Sequence, residues 1–281
     1  MSVSTEVRRN SVMKLFRFIL FAILMPISFS GSGQESSYLP GEKVDYSIHY
    51  GIVQGGVASL ELKADTFKGQ EVWHSVFIGK TTGMADAIFK VKDVYESFIK
   101  PETELPVFSI RNIREGRYRR YNEVIFDHSS RADSAILTSN LTGVHITEQG
   151  IHDILSCFYY FRNHYLPGHA DFKRGDMVTI MTWFTDELYP IRLKYLGTDE
   201  VKTRLGRIKC LKFNPVTEAG RLFKTEDDVS FWFTADKNFL PVKVRFDIFV
   251  GAFTAEMINC EGLKYPLDVV KKERNKKDKE E

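Results

Sequence analysis

Two arginines pose the first chemical question. Between Leu105 and Phe126 the sequence reads as two β-strands joined at Glu115-Gly116, and in that hairpin Arg111 faces Arg120. The same face carries Val107, Ile113, Tyr118, Val124 and Phe126, so it is the face expected to be buried. Like charges opposed across a sheet repel, and an unpaired buried charge is costly, so something must neutralise them. Asp93, on a preceding strand at 91–100, is the nearest candidate. Two outcomes stand open. One is a structural ion-pair cluster with Asp93. The other is an anion site, in which Arg111 and Arg120, beside Tyr118 and apolar walls, hold a headgroup, phosphate or carboxylate in their planar forks. Both depend on register, because a slip of one residue turns every side chain to the other face. The opposite face is also basic, with Arg114, Arg117 and Arg119. Such a face protects an exposed strand edge from aggregation or meets an acidic surface or lipid headgroups.

Other chemistry is hard to find. None of the seven histidines forms a His-x-x-x-His or His-x-His pair. His164, His169 and Asp171 are close in one loop but read as surface residues, so no metal is expected. There is no Gly-x-Ser-x-Gly elbow and no glycine-rich phosphate loop, so no catalytic residue or cofactor is assigned. A hydrolase acting on envelope glycans through an unrecognised carboxylate pair remains an alternative. The three cysteines, Cys157, Cys210 and Cys260, match no zinc spacing. A Cys210–Cys260 bridge requires their strands to be neighbours; otherwise all three are small, partly buried hydrophobes.

The elements that must position these residues are mostly strands. From residue 41 onward, short runs rich in Val, Ile, Phe, Tyr and Thr are separated by turn residues. Expected strands include 43–50, 56–66, 71–80, 107–114, 117–126, 188–196, 199–204 and 240–250. In the last, Leu240, Val242, Val244 and Phe246 alternate with Lys243, Arg245 and Asp247, the pattern of a half-buried antiparallel strand. The connections are too short for parallel crossovers. Two helices are expected, 83–90 and 152–163. The second, with Asp153 as N-cap, is apolar over most of its surface and should be buried.

Composition sets the outer bounds. Of 281 residues, 43% are hydrophobic and 13% aromatic, enough for a large core. The 39 basic and 37 acidic side chains leave a net charge of +2, which speaks against a nucleic-acid partner. At the N-terminus, Arg8, Arg9, Lys14 and Arg17 precede the apolar run from Phe18 to Met25, and small residues follow to Gly33. Residues 1–33 therefore read as a signal peptide, since the run is shorter than the ~20 residues a spanning helix needs. Residues 34–270 read as one mostly antiparallel β domain, with halves meeting near 165 if there are two, and 271–281 as a solvated charged tail.

Several spaced residues have a collective pattern. These are Pro40-Gly41-Glu42, Tyr46, Tyr50-Gly51, Asp93, Tyr95, Ser97, Arg111, Arg114-Glu115-Gly116, Tyr118, Asp153-Ile154-Leu155-Ser156, Tyr159-Tyr160, Arg162, Trp232, Leu240-Pro241 and Val250-Gly251. Together they resemble the exported bacterial family catalogued as domain of unknown function 3108, over residues 38–264. The resemblance implies an exported envelope protein and brings no reaction, cofactor or catalytic residue.

The sequence thus leads to a mainly β fold: a strongly curved antiparallel sheet or open barrel, or two sheets joined near 165, with helix 152–163 packed in the concavity. The leading functional expectation is a non-catalytic periplasmic carrier for an amphiphile, its tail against apolar walls and its anionic end on Arg111 and Arg120, with Tyr118 and Asp93 beside them. The alternative is a module that docks on an envelope protein partner through a strand edge.

Overall fold

The computed structural model describes residues 35–216, 229–247 and 251–270. The expected signal peptide, the charged tail and residues 248–250 of the expected strand 240–250 lie outside them. The first eight strands are β1 (Lys43–Tyr50), β2 (Val53–Phe67), β3 (Gln70–Thr81), β4 (Lys92–Ile99), β5 (Pro106–Glu115), β6 (Tyr118–Asp127), β7 (Ala135–Ser139) and β8 (Gly143–Thr147). After a helical segment come β9 (Met177–Phe184), β10 (Glu187–Thr203), β11 (Gly206–Pro215), β12 (Val229–Thr234), β13 (Pro241–Asp247) and β14 (Ala252–Glu261). The helices are α1 (Gly83–Ile88), between β3 and β4, and α2 (Ile154–His164), between β8 and β9.

All these strands form one antiparallel sheet of 14, in the order β8-β7-β6-β5-β4-β3-β2-β1-β14-β13-β12-β11-β10-β9. Each strand pairs with its sequence neighbours, except that β1 also pairs with β14 and β8 does not pair with β9. The β1–β14 pairing thus joins the strands before and after residue 165 into one sheet, whose two ends, β8 and β9, flank that residue in sequence. Burial alternates as expected of a one-sided sheet: in β2, Ala58, Leu60 and Leu62 are buried while Val57, Ser59 and Glu61 are less so. Bulges help it curl. The expected strands 188–196 and 199–204 are one strand, β10, with an irregularity between Tyr195 and Gly197; Gly197 has φ +112°, a conformation that suits glycine.

The ends of the sheet meet across a seam. His152 donates its N–H to the Met181 carbonyl and accepts from Trp183 N–H, so residues 151–153 run beside β9. Val124, Phe126, Leu137, Ile151 and Trp183 pack together behind this contact. The barrel stays open in its hydrogen bonding, but its interior is filled. Helix α2 starts at Asp153, whose carboxylate accepts from Leu155 and Ser156 N–H while Ser156 Oγ accepts from Asp153 N–H. Leu155, Cys157, Tyr159 and Phe161 each enter the core, joining three apolar clusters built from both halves of the sheet. At the centre, the fully buried Arg162 pairs with Glu42 through Nη1–Oε1 at 2.5 Å and Nη2–Oε2 at 2.8 Å. The three thiols are free. Cys210 on β11 and Cys260 on β14 cannot pair as neighbours, because β12 and β13 lie between their strands.

Candidate functional site: two arginines at the seam

The β5–β6 hairpin turns at Gly116-Arg117, not at Glu115-Gly116: Glu115 pairs with Tyr118, and Gly116 takes φ +54° at the first loop position. The register is therefore offset by two residues from the expected one. An offset of two preserves faces, so Arg111 and Arg120 do share a face with the buried Ile113, Asn122 and Val124. They are diagonal rather than opposed: Arg111 faces Asn122, and Arg120 faces Ile113.

Their partners differ. Arg120 Nη2 donates to Asp186 Oδ2 at 2.8 Å. Asp186 sits in the two-residue β9–β10 turn, where it and Thr185 both adopt positive φ. Its other oxygen accepts from Ser139 Oγ at 2.6 Å and Asn122 Nδ2 at 3.3 Å. Partial burial pushes the Asp186 carboxyl up, but Ser139, Arg120 and Asn122 outweigh it and hold it below the usual range. The Tyr118 hydroxyl, ahead of Asp186, supports the Arg120 charge. Tyr118 itself is exposed.

Arg111 has no such carboxylate. Its guanidinium lies over Phe184 at 4.9 Å and Tyr95 at 5.9 Å. Among the described residues its Nε and Nη1, and Nε of Arg120, are buried without a hydrogen-bond partner. Asp93 does not pair with it within ion-pair distance. Asp93 accepts instead from Arg114 N–H at 3.0 Å and shares a hydrogen bond with Glu115. The Glu115 carboxyl is raised by partial burial first, then by the charge of Asp93 and their shared hydrogen bond, with Arg111 opposing. Burial raises the Tyr95 hydroxyl, against the charge of Arg111 and a hydrogen bond to it.

Tyr95, Arg111, Ile154, Trp183, Phe184 and Thr185 help line a cleft of about 30 Å³ at this point. It admits a water-sized group and not an acyl chain. Where a carrier would enclose an apolar cavity, the α2 side chains Phe158, Tyr159 and Phe161 pack into the core clusters of the sheet. A larger open groove, about 770 Å³, lies on the β10–β13 side with Lys194, Lys212, Asn214, Ser230, Trp232 and Arg245 among its lining. The Lys212 and Lys243 ammonium groups stand 4.9 and 5.4 Å from the Trp232 ring.

The histidines expected in one loop fall instead at the end of α2 (His164) and in a 3₁₀ turn over Leu166–Asp171 (His169). His164 Nε2 meets Glu104 at 2.9 Å and His169 Nδ1 meets the Leu166 carbonyl at 2.7 Å. Among the described residues no three His, Cys, Asp or Glu side chains are arranged to hold a metal ion. Sequence reasoning missed Asp186 and Phe184, which reach Arg120 and Arg111 from far along the chain. The only local signal at Asp186 is a turn-forming residue between strands.

Fold and site together define a class: an open antiparallel barrel, plugged by its own helix, with two arginines at its seam. The chain belongs to the family described as "Protein of unknown function (DUF3108)", whose model matches residues 45–258. Among solved structures, it is similar to a beta-barrel-like protein of domain of unknown function DUF1849 from Brucella abortus, with TM-score 0.54 and 9% identity over 80% of this chain and 98% of that one. At that identity the likeness is one of fold. A protein from Bacteroides fragilis described as exported, with a YmcC-like fold, matches with TM-score 0.33 and 9% identity over 80% of this chain and 97% of that one. One from Parabacteroides distasonis described as a lipoprotein matches with TM-score 0.31 and 9% identity over 81% and 100%. Among curated proteins, none matches the chain.

Proposed function

We propose that the protein is a non-catalytic binding protein of the cell envelope that takes an anionic group, such as the acidic head of an amphiphile, on Arg111 and Arg120 at the seam. The envelope location rests on the signal-peptide pattern of residues 1–33. One observation carries the ligand reading: the two arginines are treated unequally. Arg120 is neutralised by Asp186, whereas Arg111 keeps two buried N–H donors without partners beside an aromatic wall. A carboxylate or phosphate oxygen entering the cleft supplies the missing acceptor. The tail of such a ligand remains outside, since the interior is full.

A dansyl-labelled fatty acid and its methyl ester test this. The acid is expected to bind and the ester to bind at least tenfold more weakly, in line with the roughly 1.5–3 kcal/mol of a charge-assisted hydrogen bond. Arg111→Gln should reproduce that loss with the acid. Equal binding of acid and ester, or an Arg111→Gln variant that binds like the wild type, refutes the reading.

A second reading has its own observation. Strand β8 ends the sheet, and its Val144 and Ile146 are exposed and apolar, so a strand from an envelope protein could extend the sheet there. A photo-cross-linker at Val144 should then capture one dominant protein in cells; diffuse or absent cross-links argue against it.

A further inference from the structure

We propose that the end of the sheet formed by the β1–β2, β3–β4 and β5–β6 connections docks on an anionic lipid surface. In an antiparallel meander alternate connections fall at one end, and here three of them touch. Thr82 N–H donates to the Gly55 carbonyl at 3.0 Å, joining the start of α1 to β2, and Gly116 N–H donates to the Lys90 carbonyl at 2.8 Å, joining the far side of α1 to the β5–β6 turn. Phe89 closes that junction: a Cβ on Gly116 would meet its ring at 2.6 Å.

This end presents apolar side chains to water. Ile52, at the β1–β2 turn, is 98% exposed, and Met84 and Ile88 on α1 are 82% and 81% exposed. Val53 and Phe89 are more than half exposed, and α1 buries no residue at all. Single exposed hydrophobes need no explanation, but a contiguous set on adjoining turns marks an interaction surface.

Charge identifies the partner. Lys80 faces Lys92 across β3–β4, and Arg114 faces Arg119 across β5–β6. The β4–β5 register, continued by the bridge of Val91 with Glu115, sets Lys92 beside Arg114. Four cations thus form one row across four adjacent strands. Among the described residues none of the four has an acidic partner within ion-pair distance. Opposed like charges cost stability. The edge-protection explanation offered by the sequence fails, because β3 to β6 are each paired on both sides. A row of cations next to an apolar rim is instead complementary to a bilayer that presents anionic headgroups above hydrocarbon. A second copy of this chain fits less well, since a self-complementary contact would set the row against itself. No helix among the described residues is long and apolar enough to cross a membrane.

The inference does not rest on the seam reading, as none of Ile52, Met84, Ile88, Lys80, Lys92 and Arg119 lines the cleft. Flotation with vesicles of phosphatidylcholine, with and without phosphatidylglycerol, tests it. The protein should float only with the anionic vesicles, and added salt should weaken binding. Ile52→Asp/Met84→Asp/Ile88→Asp, all at exposed positions, should abolish flotation without lowering Tm. Lys80→Gln/Lys92→Gln/Arg119→Gln should lower apparent affinity roughly a hundredfold, about fivefold per cation. Arg111→Gln should float like the wild type, and the triple-aspartate variant should still bind the dansyl fatty acid, which separates the two proposals. The proposal is overturned if the wild type ignores anionic vesicles, if the aspartate variant floats equally well, or if the apolar rim proves to drive self-association or capture of a protein in place of vesicle binding.

Discussion

Replacing Glu42 with glutamine probes how this barrel tolerates a charge at its centre. Arg162 is fully buried on α2, and three rings, Tyr38, Phe158 and Tyr159, lie 5.0, 5.4 and 5.6 Å from its guanidinium. Glu42 takes two of its donors, and the Asn238 carbonyl accepts from Nε at 3.2 Å and Nη2 at 2.7 Å. Glu42→Gln keeps the volume nearly constant, so a cavity contributes little. It removes one of two charge-assisted hydrogen bonds, each worth about 1.5–3 kcal/mol, and leaves the guanidinium without its counter-charge. Breaking a buried pair in this way costs about 3–5 kcal/mol, a fall in Tm of roughly 6–20 °C for a domain of this size. Urea denaturation followed by tryptophan fluorescence measures it. Glu42→Gln/Arg162→Met removes the stranded charge and should be more stable than Glu42→Gln alone, though the Asn238 carbonyl then loses its donors. A Glu42→Gln variant within about 1 kcal/mol of wild type would refute the argument, because a cation stranded in an apolar interior cannot be that cheap.

Two further outcomes are expected. Burial raises the Asp153 carboxyl to about 6, against hydrogen bonds from Ser97, Ser156 and Leu155. An acid with a raised folded pKa favours folding while protonated, so its contribution is present below the unfolded pKa and is lost as pH climbs to about 6. Wild-type stability should therefore fall by roughly 3 kcal/mol across that window from this group, and Asp153→Asn should remove that component; denaturation at stepped pH that shows parallel curves for the two proteins contradicts the assignment. The thiols should separate by accessibility. Cys260 is partly exposed, whereas Cys157 and Cys210 are buried and burial raises both, Cys210 to about 12. A thiol-reactive chromophore should therefore titrate one cysteine in the native protein and three after denaturation; fast labelling of all three would show that the core opens.

Legibility in the sequence followed the range of the interactions. The short connections and the Asp153 cap are local, and each could be read; of the alternation expected over 240–250, Leu240 and Val242 are buried as read, but Phe246 is exposed. The face of the β5–β6 hairpin was readable because the arginines sit among Ile113, Asn122 and Val124, but its register depended on which residue beside Gly116 shares the turn. Gly197 read as a break, although within a long strand it makes a bulge. The seam was not readable. Asp186 meets Arg120 from 66 residues away, and its only local feature is its turn. Arg162 did carry a signal, a charge on a helix otherwise apolar over most of its surface, but nothing nearby pointed to Glu42, 120 residues earlier.

The pairing of β1 with β14 has a consequence for how the molecule comes into being. Asp45 and Asn259 face each other although 214 positions separate them. A chain emerging from its N-terminus can zip β1 to β2 at once, yet the other flank of β1 stays raw until almost the last residues arrive. That late closure puts slow, long-distance pairing at the end of assembly. In the interval β1 is an adhesive margin open to any stray extended segment, so a holding chaperone or rapid delivery of the C-terminal strands matters more to this barrel than to one whose gap lies between its ends.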